Sequence, residues 1–203
     1  DDSALKALYE RTSSKLFGLA LRIVRQRDAA EDVLQDAFVA IWRGAGSYRA
    51  SLSPPMAWLG LIVRSRALDA LRPLLALAAR LFVAKVFFLS GLTKLADWGS
   101  TLELFAYEYQ VPILPPAVAA VLGTAGELVL PVLLVLGLGG RLAALGLSVV
   151  NVVAVLSLPD MPEAAFQLHV FWGSLLAGLA VYGPGCWSVD GWLVHRLRSA
   201  ATA

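Results

Sequence analysis

The first third of the chain alternates apolar and polar positions, and the remainder is almost continuously apolar. Apolar residues recur near the 3.6-residue period over about residues 3–26 and 28–43, which predicts two amphipathic helices. Asp28, with Glu31 three residues later, has the pattern of an N-cap and its capping box. A Gly-, Ser- and Pro-rich loop over residues 44–55 precedes a third helix that begins near Met56. Residues 1–72 are therefore expected to form a small three-helix domain.

Residues 73–203 contain four apolar stretches near the length that crosses a bilayer. They cover about residues 74–95, 115–138, 142–158 and 167–183, and a spanning helix needs roughly 20 apolar residues, with about 17 as the lower limit. Buried helices of a soluble protein are the alternative, but four such stretches in succession favour a transmembrane bundle. The predicted fold class is all-α, with a three-helix domain followed by a four-helix transmembrane domain.

Composition and charge separate the same two parts. Hydrophobic residues make up 58% of the 203 residues and charged residues only 16%, against about a quarter in ordinary soluble domains. Residues 1–72 hold eleven of the 17 Lys and Arg and eight of the 15 acidic residues, which gives them a net charge of +3. The single cysteine, Cys186, excludes an intramolecular disulfide and a thiolate metal cluster. We assign no metal site, cofactor or catalytic residue, and the sequence leaves open whether the protein is an enzyme.

Basic and acidic segments alternate around the apolar stretches and predict their orientation. Arg64, Arg66 and Arg72 precede the first stretch, the connections after the first and third stretches carry only acidic charges, and Arg141 lies between the second and third. Because Lys and Arg accumulate on the cytoplasmic side, both termini are expected in the cytoplasm of a protein of the cell inner membrane. The N-terminus has no signal-peptide pattern.

Three polar residues are expected near the middle of the membrane: Lys85, Glu127 and Asn151. A rise of 1.5 Å per residue puts each of them about 14–16 Å from the inner end of its helix. Ionisable groups at that depth are costly, so we expect Lys85 and Glu127 to face each other inside the bundle, with Asn151 nearby. Such a pair would either fix helix packing or form a proton or substrate site.

Three further polar residues are expected at the edges of the apolar stretches. Arg80 and Lys94 lie nearer the boundaries, where long basic side chains can snorkel towards water. His169 is expected at the outer interface.

Three strings in the first part occur in the order found in a known domain. LYERTSSKLFGLALRIV, AAEDVLQDAFVAIW and AWLGLIVRSRALDALR resemble region 2 of extracytoplasmic-function sigma factors, over nearly all of residues 5–72. The resemblance implies binding to core RNA polymerase and to the −10 promoter element. The polymerase-facing residues would be Asp32, Gln35 and Asp36. The DNA-facing residues would be Tyr48, Arg49, Trp58, Arg64, Ser65 and Arg66.

The physics of single-stranded DNA binding agrees with that assignment, because basic grooves and aromatic stacking hold melted strands. The charge pattern alone is also explained by two solvated faces of a helical domain. Two features depart from the family. Ser65 stands where the family commonly has Asn, and a short hydroxyl offers fewer hydrogen bonds. No helix-turn-helix region 4 follows Arg72, so a complete initiation cycle is not expected from this chain alone.

The second part resembles the DoxX family of four-helix membrane proteins over residues 76–198. The matching segments are Ser90 to Lys94, Gly126-Glu127-Leu128, Gly137 and Arg141 at a turn, and Gly183 to Asp190. The resemblance implies a membrane protein. The family takes its name from a subunit associated with thiosulfate:quinone oxidoreduction, but no haem, flavin or iron–sulfur motif is present here.

Three interpretations follow. In the first, a DoxX-like bundle in the lipid bilayer anchors a sigma-like domain that acts in transcription initiation or its regulation. In the second, only the membrane part acts, in redox-linked or small-molecule chemistry, and the sigma segment is a non-functional remnant. In the third, two neighbouring genes were joined by accident.

Overall fold

The computed structural model describes residues 1–201, apart from the side chains at 195, 198, 199 and 201. These residues form eight α-helices, one 3₁₀ turn and no β-strand, which confirms the all-α prediction. The helices are α1 (Asp2–Val24), α2 (Arg27–Gly44), α3 (Pro55–Ala96), α4 (Trp98–Tyr107), α5 (Pro116–Leu136), α6 (Gly140–Ser157), α7 (Glu163–Tyr182) and α8 (Val189–Ala201), and the 3₁₀ turn covers Ala45–Ser47.

Contacts divide the chain into two compact units, Asp1–Arg72 and Pro73–Ala203. The first unit packs α1, α2 and the start of α3 around one apolar core. Its most buried side chains include Leu16 of α1, Val33 and Ile41 of α2, and Leu59 and Val63 of α3. This core fixes which face of each helix remains exposed.

The start of α2 differs from the sequence-based prediction. Its N-cap is Gln26, which makes no side-chain capping bond, so the predicted Asp28 cap is wrong. Arg25 ends α1 in the left-handed region with φ 57°, and the chain re-enters a helix at once. Asp28 then lies in the first turn, where its charge suits the helix dipole. Glu31 accepts a hydrogen bond from Arg27 Nε at 3.0 Å instead of forming a capping box.

Four helices are long and apolar enough to cross a membrane: Pro55–Ala96, Pro116–Leu136, Gly140–Ser157 and Glu163–Tyr182. The prediction of four candidate spans is confirmed. Pro73 lies inside α3, which has 42 residues. A proline removes one backbone hydrogen bond, and the long apolar segment beyond it retains its own helical bonds.

The second unit packs α6 between α5 and α7, and α4 lies against α5. Its main core includes Val83, Phe87, Leu134, Leu147 and Leu176. This core holds α3, α5, α6 and α7 together around the polar groups described below.

Hydrogen bonds of two charged side chains, Asp190 and Arg80, stabilise the end of this unit where α5 is followed by α6. Both carboxylate oxygens of Asp190 accept backbone hydrogen bonds, from Gly139 N–H and Gly140 N–H at 2.9 Å each. The Arg80 side chain is fully buried and donates to the carbonyl oxygens of Val135 and Trp187. The expectation that Arg80 snorkels is therefore wrong, because backbone acceptors at the helix end bind its guanidinium inside the protein.

Candidate functional sites

The polar face of α2 is the first candidate surface. Burial of Ala30, Val33, Leu34, Ala37, Phe38 and Ile41 defines the inner stripe of this helix. Asp32, Gln35 and Asp36 lie outside that stripe and are exposed. Among the described residues neither Asp32 nor Asp36 forms an ion pair, whereas Glu31 is paired with Arg27. The face thus offers two uncompensated carboxylates and an amide to a partner.

The loop before α3 is held by an aromatic pair. The ring of Tyr48 lies 5.1 Å from the ring of Trp58, and its hydroxyl donates to Ser53 O at 2.9 Å. Trp58 is half-buried and packs against the core of the first unit. These two rings therefore support the loop, while the Arg49 side chain is exposed beside them.

The third helix carries the predicted basic surface. Arg64, Ser65 and Arg66 are exposed, between the fully buried Val63 and Ala67. Arg66 also borders a notch shared with Asp36 and Arg43 of α2. The acidic face of α2 and the basic face of α3 thus adjoin within the first unit.

An ion pair lies inside the second unit, between α3 and α5. Lys94 Nζ is 2.8 Å from Glu127 Oε1 and 2.6 Å from Oε2, and it also donates to Ser90 Oγ at 2.9 Å. Both charged side chains are largely buried, with 17% and 10% of their surface exposed. The predicted partner, Lys85, is exposed, so the predicted Lys85–Glu127 pair is wrong, and so is the expectation that Lys94 snorkels.

Helix geometry explains which lysine reaches Glu127. Residues in an α-helix are about 100° apart around the axis, so Lys85 and Lys94, nine positions apart, lie on opposite faces of α3. Side chains also lean towards the N-terminus of their helix, which carries Lys94 back into the bundle and over Ser90. A Cβ on Gly91 would come within 2.9 Å of Leu128 and 3.1 Å of Glu127 Cβ. The glycine therefore permits the close approach of α3 and α5 that brings the charges together.

Asn151 is buried, as expected, but its partner is His169. Asn151 Nδ2 donates to the backbone oxygen of His169 at 3.0 Å, and His169 Nδ1 lies 2.8 Å from Asn151 Oδ1. Because the carbonyl can only accept, Asn151 Oδ1 must be the acceptor of the second bond and His169 Nδ1 its donor. A neutral His169 ring then keeps Nε2 free as a hydrogen-bond acceptor.

These polar groups border one cavity of about 430 Å³ within the second unit. Most of its lining is aliphatic or aromatic. Its polar lining residues are Ser90, Lys94, Tyr109, Glu127, Ser157, His169 and Trp172. The volume and the mixture of apolar walls with a few polar groups are those of small-molecule sites.

Two residues of the lining, Trp172 and Tyr109, carry polar groups that are affected by burial. The Trp172 Nε1–H is buried and has no hydrogen-bond partner among the described residues. Burial raises the pKa of the Tyr109 phenol, and the negative charges of Glu127 and Glu108 raise it further. Among the described residues no cluster of three or more His, Cys, Asp or Glu could hold a metal ion.

Comparison with known proteins divides the chain at the same region. Residues 8–73 match the Sigma-70 region 2 family, and residues 75–160 match the DoxX family. The ECF RNA polymerase sigma factor SigK of Mycobacterium sp. (strain KMS) is 40% identical over 72 residues, 36% of this chain and 37% of the relative. SigK of Mycolicibacterium vanbaalenii is 32% identical over 72 residues, 36% of this chain and 37% of the relative.

Both resemblances are confirmed. The chain spans little more than a third of the length of the curated sigma factors that it matches. No solved structure matches it. The DoxX match together with four candidate spans identifies a membrane protein with a sigma-like segment at its N-terminal side.

Sequence reasoning missed four members of the cavity: Lys94 as the ion-pair partner, and Tyr109, His169 and Trp172 as lining groups. The spacing of Ser90 and Lys94, four residues apart on one helix face, is a signal that could have found the first. Tyr109 follows α4 and reaches the cavity only through the packing of α4 on α5, which no local pattern encodes. His169 and Trp172 lie three residues apart on α7, and their rings are 4.9 Å apart.

Proposed function

We propose that the sigma-like segment binds core RNA polymerase and promoter DNA while the DoxX-like bundle holds it at the cell inner membrane. The observation that carries the proposal is the exposed, unpaired acidic face of α2 in a segment that matches Sigma-70 region 2. Asp32, Gln35 and Asp36 are the residues assigned to the polymerase. The role would be transcription initiation or its regulation.

The electrostatics of α2 support this assignment. Exposed charges contribute little to stability, so Asp32 and Asp36 are available to a partner without a cost to the fold. A complementary basic surface on a partner would gain from them, because charge complementarity raises the association rate and fixes the orientation. The buried stripe behind the face makes α2 a rigid support for such a contact.

The basic face supports the DNA part of the proposal. Arg64 and Arg66 are exposed beside Ser65, and Arg49 is exposed on the adjacent loop. Positively charged side chains follow the phosphates of a single strand, and stacking on aromatic rings adds about 1–3 kcal/mol per base. Since Trp58 and Tyr48 pack on each other, the arginines are the main candidates for contact with the strand. Trp58 and Tyr48 would shape the loop that presents Arg49.

The orientation is part of the same proposal. Both termini would be cytoplasmic, because the connections that carry Lys and Arg alternate with acidic ones. That arrangement is also the one that exposes the sigma-like segment to polymerase. Cysteine-accessibility labelling of intact cells at residue 3 and at residue 163 would test it, with labelling only at 163 expected.

Capture of core RNA polymerase by the full-length protein in lipid nanodiscs tests the main proposal. Asp32→Ala/Gln35→Ala/Asp36→Ala should lose capture, and Asp2→Ala/Glu10→Ala should retain it. Both variants remove two exposed carboxylates, so the change in net charge is the same in both. No capture by the folded wild-type protein, or equal capture by the triple variant, would overturn the proposal.

Binding of a single-stranded oligonucleotide with the −10 non-template sequence tests the DNA part. Arg64→Ala/Arg66→Ala should weaken binding and flatten its salt dependence, because each phosphate contact contributes about 0.7 to the logarithmic slope on single strands. An unchanged slope would argue against phosphate contacts by this helix.

A further inference from the structure

The C-terminal helix α8 carries large apolar side chains that the rest of the second unit leaves exposed. We propose that α8 lies in the lipid–water interface of the bilayer that the four candidate spans cross, and that Arg141 and Arg196 bind the headgroups of anionic phospholipids there. The proposal rests on where α8 is attached, on the side chains that it exposes and on two arginines without an ion-pair partner.

The attachment of α8 places its first turn at the ends of three candidate spans. Only residues 183–188 separate α8 from the end of α7. The carboxylate of Asp190 accepts hydrogen bonds from Gly139 and Gly140 N–H, in the turn between the candidate spans α5 and α6. The backbone N–H of Asp190 also donates to Gly137 O at 3.1 Å. Because a helix that just crosses the hydrocarbon ends near the membrane surface, these contacts hold the start of α8 at that level.

The exposed side chains of α8 are of the kinds found at a membrane interface. Trp192, Leu193, Val194 and Leu197 are 41–69% exposed. At about 100° per residue, Leu193, Val194 and Leu197 lie on one side of the helix. A helix with an apolar side and basic residues elsewhere lies along the interface, with its apolar side buried about 5–10 Å deep. Tryptophan is enriched at the same level, so the composition of α8 fits the depth at which it is attached.

The bilayer is the partner that this end of the bundle already meets. Val181 and Tyr182 at the end of α7, and Leu142 at the start of α6, are 68–78% exposed. They belong to candidate spans, so their exposed surface faces lipid. Since the first turn of α8 is bonded to the turn that precedes Leu142, lipid is present beside α8 without any further component. A protein partner would have to replace that lipid.

Two exposed arginines at this end select anionic headgroups. A Cβ on Gly183 would lie 3.2 Å from Arg141 Nε, so the Arg141 side chain lies beside the end of α7. The guanidinium of Arg196 is 4.7 Å from the ring centre of Trp192. Among the described residues neither arginine forms an ion pair. A guanidinium matches the geometry of a phosphate, and a basic residue gains from the net negative charge of an anionic membrane surface.

Spin-label accessibility in the full-length protein tests the position of α8. Cys186→Ser protein in nanodiscs of phosphatidylcholine and phosphatidylglycerol would carry one label, at Leu193→Cys or Leu197→Cys. Leu145→Cys, exposed on the candidate span α6, is the lipid reference, and Ser14→Cys, exposed on α1, is the water reference. The labels on α8 should collide more with oxygen than with a water-soluble nickel complex, as at the lipid reference. Collisions like those at the water reference, or protection from both reagents by a protein partner, would overturn the proposal.

Native mass spectrometry of the protein released from the same nanodiscs tests the choice of lipid. The wild-type protein should retain phosphatidylglycerol in preference to phosphatidylcholine. Arg141→Gln/Arg196→Gln should reduce this preference about fivefold for each arginine that contacts a headgroup, from about 1 kcal/mol per basic residue at an anionic surface. Arg11→Gln/Arg22→Gln removes the same charge from exposed positions of α1 and should keep the preference. No preference in the wild type, or an equal loss in both variants, would overturn the assignment of the two arginines.

Discussion

Removal of Glu127 should destabilise the membrane unit far more than removal of any exposed charge. In Glu127→Gln the Lys94 ammonium loses the negative charge opposite it and one of the two oxygens at 2.8 and 2.6 Å, and keeps the amide oxygen and Ser90 Oγ as side-chain acceptors. At 2.6 Å and an effective dielectric constant of about 20, the lost attraction is roughly 6 kcal/mol. Part of it only offsets the desolvation of the two charges. Measured losses for one partner of a buried pair are about 3–5 kcal/mol.

Thermal unfolding of the detergent-solubilised protein measures this loss. With about 2–4 °C per kcal/mol for a chain of this size, Glu127→Gln and Lys94→Met should each lower the Tm by about 6–20 °C. The double variant Lys94→Met/Glu127→Leu should recover most of the loss, because it leaves no buried charge unpaired.

Lys85→Met is the matched control on the same helix. Its side chain is exposed, so its removal leaves no buried charge unpaired and should not lower the Tm. The reasoning fails if Lys85→Met is as damaging as Lys94→Met, or if the double variant is no more stable than the single ones.

Three further predictions concern groups outside the spans. Asp97 caps α4, and its backbone and side-chain hydrogen bonds with Ser100 lower its pKa. The stability that Asp97 adds is therefore present above about pH 4 and lost below it, so the Tm difference between wild type and Asp97→Ala should shrink between pH 6 and 3. The Tyr109 phenol should titrate at a lower pH in Glu127→Gln than in wild type, as measured by phenolate absorbance against Tyr109→Phe, because one of the charges that raise its pKa is gone. Asp190→Ala should lower the free energy of unfolding by about 1–3 kcal/mol, since it leaves two backbone N–H groups of the α5–α6 turn without their acceptor; an unchanged Tm would show that water replaces the carboxylate.

The helices could be predicted from sequence because their signal is summed over many residues. The second apolar stretch was expected over residues 115–138 and is helical over Pro116–Leu136. A misplaced end changes few of the apolar positions that define such a helix. The start of α2 was missed because it depends on one backbone dihedral at Arg25.

The ion pair could not be predicted from depth alone. Counting residues along α3 places Lys85 at the level of Glu127, but contact also requires the correct side of the helix. Lys94 lies on the side of α3 that faces Glu127. Its long side chain points towards the N-terminus of the helix and so reaches the depth of Glu127. Its partner also depends on the close approach of two helices at Gly91, which is a property of the packed bundle.

The two candidate sites should respond differently to substitution, because the acidic face of α2 is exposed to water and the Lys94–Glu127 pair is buried in an apolar bundle. Water stabilises Asp32 and Asp36 individually, so their substitution should change binding to polymerase while the fold remains intact. In the bundle, Lys94 and Glu127 depend on each other, and a single substitution would change stability and ligand binding together. Loss of activity in a Glu127 variant would therefore not identify a substrate site.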